Sequence, residues 1–280
     1  MRNPTDALQF VEALAPALRE ASSIARALEG RVRNRPKAGE ATPVKAALTA
    51  ADTACQETLL SALHRILPDA RLEAEEDTPT VAAFSGRGES VVVVDPIDGT
   101  LRFFLEGLGP YASMVGLAIG DVYRAALVAL PREGLLLDAV RGEGARMARG
   151  DRPPRPARVA RRGHRVLISH DLPGAAVEVL LGAGLAVQPA CGGAIAVAPL
   201  LPGVRAGLRF AAEGSVSTRA RIGALIAAEA GALVRAEDGG PFPDDIRAPA
   251  SALLVAAHED DLGVLRDAAS AARRAAHICV

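Results

Sequence analysis

Asp95 and Asp98 stand three residues apart in the run Asp95-Pro96-Ile97-Asp98-Gly99-Thr100, directly after four consecutive valines. Carboxylates that a turn brings together at this spacing are ligands for a hard cation such as Mg²⁺. Upstream, Leu72-Glu73-Ala74-Glu75-Glu76-Asp77 adds Glu75 as a third candidate ligand. Buried like charges so close together are costly unless a cation neutralises them. Val91 to Val94 reads as a fully buried strand that runs straight into the two aspartates. Pro96 has no N–H to give a ladder, so pairing is expected to stop there. Ile97 to Thr100 then forms a turn in which Gly99 lets a ligand approach closely. An Asx-type turn with Asp98 capping a short helix fits the same residues, and the motif alone leaves that open.

Asp95-Pro96-Ile97-Asp98-Gly99-Thr100, with Glu75-Glu76 some twenty residues before it, resembles the inositol monophosphatase family of Mg²⁺-dependent, lithium-sensitive phosphatases. The resemblance implies that Glu75, Asp95 and the Ile97 carbonyl hold one Mg²⁺ (or Mn²⁺), and that Asp98 joins Asp95 on a second. It implies a catalytic set of Glu75, Thr100 and Asp52. In the family an Asp in Val-Thr-x-x-Asp hydrogen-bonds the motif Thr, and Leu48-Thr49-Ala50-Ala51-Asp52 fits that pattern. Asp52 is therefore paired with Thr100; without the resemblance it reads as a first-turn acid favoured by the helix dipole. Gly99 and Thr100 would offer backbone N–H groups to phosphate oxygens. Gly193 and Ala194, in Cys191-Gly192-Gly193-Ala194, fall where the family has a Gly-Ser-Ala turn near the substrate, although helix initiation explains them equally well.

The departure that matters most falls at a metal ligand. The family's remaining metal-binding Asp lies in a Trp-Asp pair about ten residues before Glu-Ala-Gly. Counting back from Glu229-Ala230-Gly231 puts Thr218-Arg219 there. The second metal position is expected to be weakened or lost, with Arg219 neutralising Asp98 and meeting a phosphate bidentately. A solvent-facing Arg219 beside a degenerate site is the other outcome. Glu213 is the nearest upstream carboxylate that could substitute, and Arg102 stands where the family usually has Asn. Two functions follow. One is a phosphomonoesterase acting on a small phosphorylated metabolite (an inositol, sugar or nucleotide phosphate) with altered metal use. The other is a catalytically impaired relative that binds a phosphorylated ligand or a partner.

The elements that must position these residues show in the apolar periodicity. Leu8, Val11, Leu14, Leu18, Ile24 and Leu28 recur at helical spacing, with Gly30 as a stop and Pro16 as an expected kink. Thr49 to Asp52 opens a second helix with Cys55, Leu59, Leu63 and Ile66 on one face. Residues 111–119, 122–130 and 135–140 read as an antiparallel meander with one covered face. Residues 150–156 carry three prolines and mark the expected boundary between a metal-binding subdomain, 1–150, and a second subdomain, 151–280. The second alternates strand and helix: strands at 166–169, 186–189 and 252–257, helices at 175–182, 191–200, 220–230 and 260–276. The resemblance implies a layered αβαβα sandwich of mixed α+β and α/β character, and commonly a homodimer.

Composition narrows the partners. A net charge of −1 and 3% aromatic residues with no Trp argue against a nucleic-acid surface. The basic run from Arg146 to Arg165 lacks interleaved aromatics and reads as a solvated face. No stretch is long and apolar enough for a membrane span. Three scattered cysteines and the absence of a leader-like start lead to the expectation of a reducing cytoplasm.

Overall fold

The computed structural model describes residues 4–160, 162–212 and 214–278. The first half contains the helices α1 (Pro4–Leu28), α2 (Pro43–Ala46) and α3 (Ala50–Ile66). Seven strands accompany them: β1 (Arg71–Ala74), β2 (Ser90–Asp98), β3 (Ala112–Ile119), β4 (Val122–Leu130), β5 (Leu135–Val140), β6 (Gly144–Arg149) and β7 (Arg155–Pro156). They form one sheet in sequence order, parallel only between β1 and β2. The second half contributes β8 (Gly163–Ile168), α4 (Gly174–Gly182), β9 (Ala186–Pro189), α5 (Gly192–Ala196), β10 (Gly203–Phe210), α6 (Ile222–Glu229), β11 (Leu233–Arg235), β12 (Ala252–Ala256) and α7 (Glu259–Ile278). Its sheet runs β11-β12-β10-β8-β9.

Five layers result. Helices α1 and α3 pack on each other and on the first sheet, α5 and α6 lie between the sheets, and α4 and α7 cover the second. This is the αβαβα sandwich. The meander was expected to have one covered face, but β3 and β5 are buried almost throughout, because α1 and α6 both pack on the sheet. Such strands read as continuous apolar runs instead of alternating ones. The boundary expected at residue 150 falls before β7, whose Arg155 and Pro156 still pair with β6. Pro16 lies within a continuous α1.

Two local features set up the site. Thr49 caps α3 reciprocally: its Oγ1 accepts from the Ala51 N–H at 3.1 Å, while Asp52 Oδ2 accepts from the Thr49 N–H at 2.7 Å. This capping box satisfies orphan donors of the first turn and fixes the Asp52 rotamer. At the other feature, pairing does not stop at Pro96. It skips from Asp95↔Met114 to Asp98↔Ala112 across an irregularity that holds the proline. Ser113 Oγ donates to the Pro96 carbonyl at 2.6 Å, so the gap is bridged by a side chain.

Candidate active site

Strands β1 and β2 run parallel with Ala74 opposite Val94, so Glu75 and Asp95 leave the same edge of the sheet side by side. Clefts beyond the carboxyl ends of parallel strands are where such sheets bind ligands. Glu76 turns the other way. Its carboxylate meets Lys37 Nζ at 3.0 Å, and its backbone is clamped by Gln56 through bonds of 2.6 and 3.0 Å. Only Glu75 of the pair faces the cleft.

Past β2, Gly99 adopts φ +89°, where a Cβ would lie 2.5 Å from the Phe103 ring, so no side chain fits. The chain then enters a π-helical turn, Thr100–Leu105, with bonds from the N–H groups of Phe104 and Glu106 back to the carbonyls of Gly99 and Leu101. The turn aims Thr100 at the capped helix. Its Oγ1 lies 2.7 Å from Asp52 Oδ1 and 2.9 Å from the Ile97 carbonyl, both acceptors for the one hydroxyl proton. Burial raises the Asp52 carboxyl above its ordinary range, against hydrogen bonds from Thr49 and Thr100 that favour the anion.

The acidic floor is arranged differently from the expected trio of ligands. Among the described residues, no three His, Cys, Asp or Glu side chains gather as for a metal ion. Asp98 turns towards α5, where its Oδ2 accepts the Gly193 N–H at 2.6 Å. Ala194 spends its own N–H on Cys191 Sγ at 3.4 Å, so neither backbone group offered from sequence is free for an anion. Gly193 is required there for another reason: a Cβ would sit 2.4 Å from the Met114 sulfur. Arg219 does not meet Asp98. Its Nε stands 3.4 Å from Asp95 Oδ2 and its Nη2 3.7 Å from Glu75 Oε1. Glu213 lies outside the described residues, as does Cys279.

Burial, then the neighbouring Glu75 and Asp98, push the Asp95 carboxyl well above its usual range, with Arg219 opposing. Asp98 is raised by burial against the Gly193 hydrogen bond and Arg209. Glu75 Oε2 and Asp95 Oδ1 are buried with no hydrogen-bond partner. Two orphaned carboxylate oxygens on adjacent strand ends are a fitting donor pair for one hard cation. Around them stand Lys45, Arg102 and Arg209, with His170 on the same rim. Arg102 pairs with Glu106 at 2.8 Å on the outside of its own turn. Lys45, His170 and Arg209 were missed in the sequence. Arg209 sits on β10, a strand whose pattern Gly203-Val204-Arg205-Ala206-Gly207-Leu208-Arg209-Phe210 is broken by glycines and arginines.

The sequence profile of the inositol monophosphatase family matches residues 7–178, and the chain belongs to that family. Its members are metal-dependent phosphatases, in general with Mg²⁺. Inositol monophosphatase 1 of Solanum lycopersicum is 29% identical over 98 residues, 35% of this chain and 36% of that protein. The Nus factor SuhB of Pasteurella multocida is 29% identical over 101 residues, 36% of each chain. The chain thus matches little more than a third of the length of these relatives. In fold the agreement extends further. The Thermotoga maritima IMPase superposes with a TM-score of 0.74 at 18% identity, over 92% of this chain and 96% of that one. SuhB from Bartonella henselae gives 0.72 at 19% identity, over 93% and 98%. No helix among the described residues is long and apolar enough to cross a membrane.

Proposed function

We propose that the chain is a phosphomonoesterase that hydrolyses a small phosphorylated metabolite by in-line attack of water, at a metal site altered by Arg219. One observation carries the reading. A hydroxyl oriented by a buried carboxylate, Thr100 on Asp52, stands beside the two buried oxygens of Glu75 and Asp95 that have no partner. Glu75, Asp95 and the Ile97 carbonyl would hold a divalent ion. Bound there, such an ion supplies Lewis-acid polarisation of phosphate oxygen and a lowered pKa for water.

The residues of the chain do the rest. The Thr100 proton is spent on Asp52 or Ile97, so the Thr100 oxygen keeps lone pairs with which to accept a hydrogen from water and align it. Gly99 and Thr100 line the cleft where the π-helical turn begins, and their backbone N–H groups would serve phosphate oxygens. Arg219, always protonated, offsets the negative floor against an incoming dianion.

The test is phosphate release from inositol, sugar and nucleotide monophosphates with Mg²⁺ or Mn²⁺ and with chelator. Release that the chelator stops is expected. The Arg219 guanidinium against both carboxylates favours a second reading, a relative that holds a phosphorylated ligand without turning it over. Ligand binding with no release from any substrate would decide for it.

A further inference from the structure

The floor of the cleft holds three carboxylates, and each spends its oxygens differently. Asp98 is committed to the Gly193 N–H. Asp95 and Glu75 each turn one oxygen towards Arg219 and leave the other buried without a partner, Asp95 being 3% exposed. The guanidinium contacts of 3.4 and 3.7 Å are longer than a charge-assisted hydrogen bond of roughly 2.7–2.9 Å. Among the described residues the Arg219 guanidinium makes these two ion pairs and no hydrogen bond. It therefore neutralises charge without using up its five donors.

We propose that Arg219 is a resident cation standing in for a second divalent ion. The cleft takes one divalent ion per chain and clamps a phosphate between that ion and the guanidinium. Charge supports the count. One guanidinium and one divalent ion balance three carboxylates, whereas a second ion would share Asp95 with a cation already against it. Like charges at that distance repel, and Arg219 cannot relieve the repulsion by losing a proton. The two orphaned oxygens match one ion. The unspent N–H groups, at a side chain 37% exposed, match a phosphate.

The inference rests on the phosphomonoesterase reading only for what the phosphate belongs to. It is tested by counting bound Mn²⁺ with calorimetry and electron paramagnetic resonance, with and without inorganic phosphate, in parent, Arg219→Lys, Arg219→Ala and Arg219→Asp. The parent should bind one ion, and phosphate should bind more tightly once the ion is present. Arg219→Lys should keep one ion and lose roughly tenfold in phosphate affinity, the worth of one charge-assisted hydrogen bond. Arg219→Asp should bind two. If Arg219→Asp does not fold, as judged by circular dichroism, Arg219→Ala carries the test and should lose phosphate affinity by at least as much as the Lys variant. Two ions or none in the parent would overturn the proposal, as would parental phosphate affinity in both the Lys and Ala variants. Phosphate release measured on the same samples separates the two claims. One ion and bound phosphate without turnover sinks the hydrolase reading alone.

Discussion

On one side of Thr100 the polar atoms are closed on one another; on the other side they are open. The closed side is Thr49, Asp52 and Thr100. There Asp52 accepts from the Thr49 N–H at 2.7 Å and lies 2.6 Å from the Thr49 hydroxyl and 2.7 Å from the Thr100 hydroxyl. The open side is Glu75, Asp95 and Arg219, where the two ion pairs of the arginine are 3.4 and 3.7 Å long and two buried oxygens have no hydrogen-bond partner. Both regions bury carboxylates. A buried anion met by several donors is a fixed part of the structure, whereas one left with an empty oxygen costs stability until something binds. The contrast is between a cluster whose acceptors are all met and one with acceptors to spare.

The substitution expected to act most strongly removes the open side. Asp95→Asn should cut metal-dependent phosphate release to below about a hundredth of the parent, since a ligand and its charge go together. Metal-free, the same variant should melt no lower than the parent, because one of three crowded buried carboxylates has lost its charge. Parental turnover in this variant would take Asp95 out of the site.

Thr100→Ala attacks the closed side, and stability should move the other way. We expect kcat to drop by roughly 10²-fold with KM near its parental value. Metal-free stability should fall by about 1–3 kcal/mol, because Asp52 Oδ1 loses its partner in a buried place. A raised KM with unchanged kcat would make Thr100 a substrate contact instead.

The closed side also has a pH signature. Burial raises Asp52 above its ordinary value of 3.8, so the native state holds this proton more tightly than the unfolded chain. Its contribution is fully present below that value and is lost as pH rises through the raised one. Urea unfolding followed upward from about pH 4 should show the corresponding decline, and Asp52→Asn should flatten it. A decline of the same slope in the variant would assign the effect to other carboxyls.

The smallest change tests the rim. Arg102 and Glu106 form an exposed i,i+4 pair at 2.8 Å, so Arg102→Ala should shift thermal stability by no more than about 0.5 kcal/mol. A substrate that needs this arginine would show itself as a higher KM at unchanged stability.

What was legible in the sequence is what neighbours along the chain settle. Thr49 to Asp52 is a capping box within one helical turn, and the buried valines of β2 deliver Asp95 wherever that strand lies. The contact between Thr100 and Asp52 spans 48 positions and was reached only through the family pattern. Arg219 shows the limit. Its place in the chain marked it as a cation where a carboxylate was expected, but the partner expected from sequence was Asp98, and the fold gave it Asp95 and Glu75. Asp98 had been taken by the Gly193 N–H, 95 positions away, on a helix that the middle layer packs against the first sheet.

The sequence by itself determined the donors: which carboxylates exist, that two of them end a buried strand, and that a helix cap holds a third. Those outcomes depend on spacing, backbone conformation and hydrogen bonds closed within a few residues. Only the tertiary structure decided how the donors are shared. It turned Glu76 to Lys37, Asp98 to Gly193 and Arg219 to the remaining pair. Each of these is a contest among groups far apart in the chain. Burial and Coulomb attraction settle it only once the layers have closed around them.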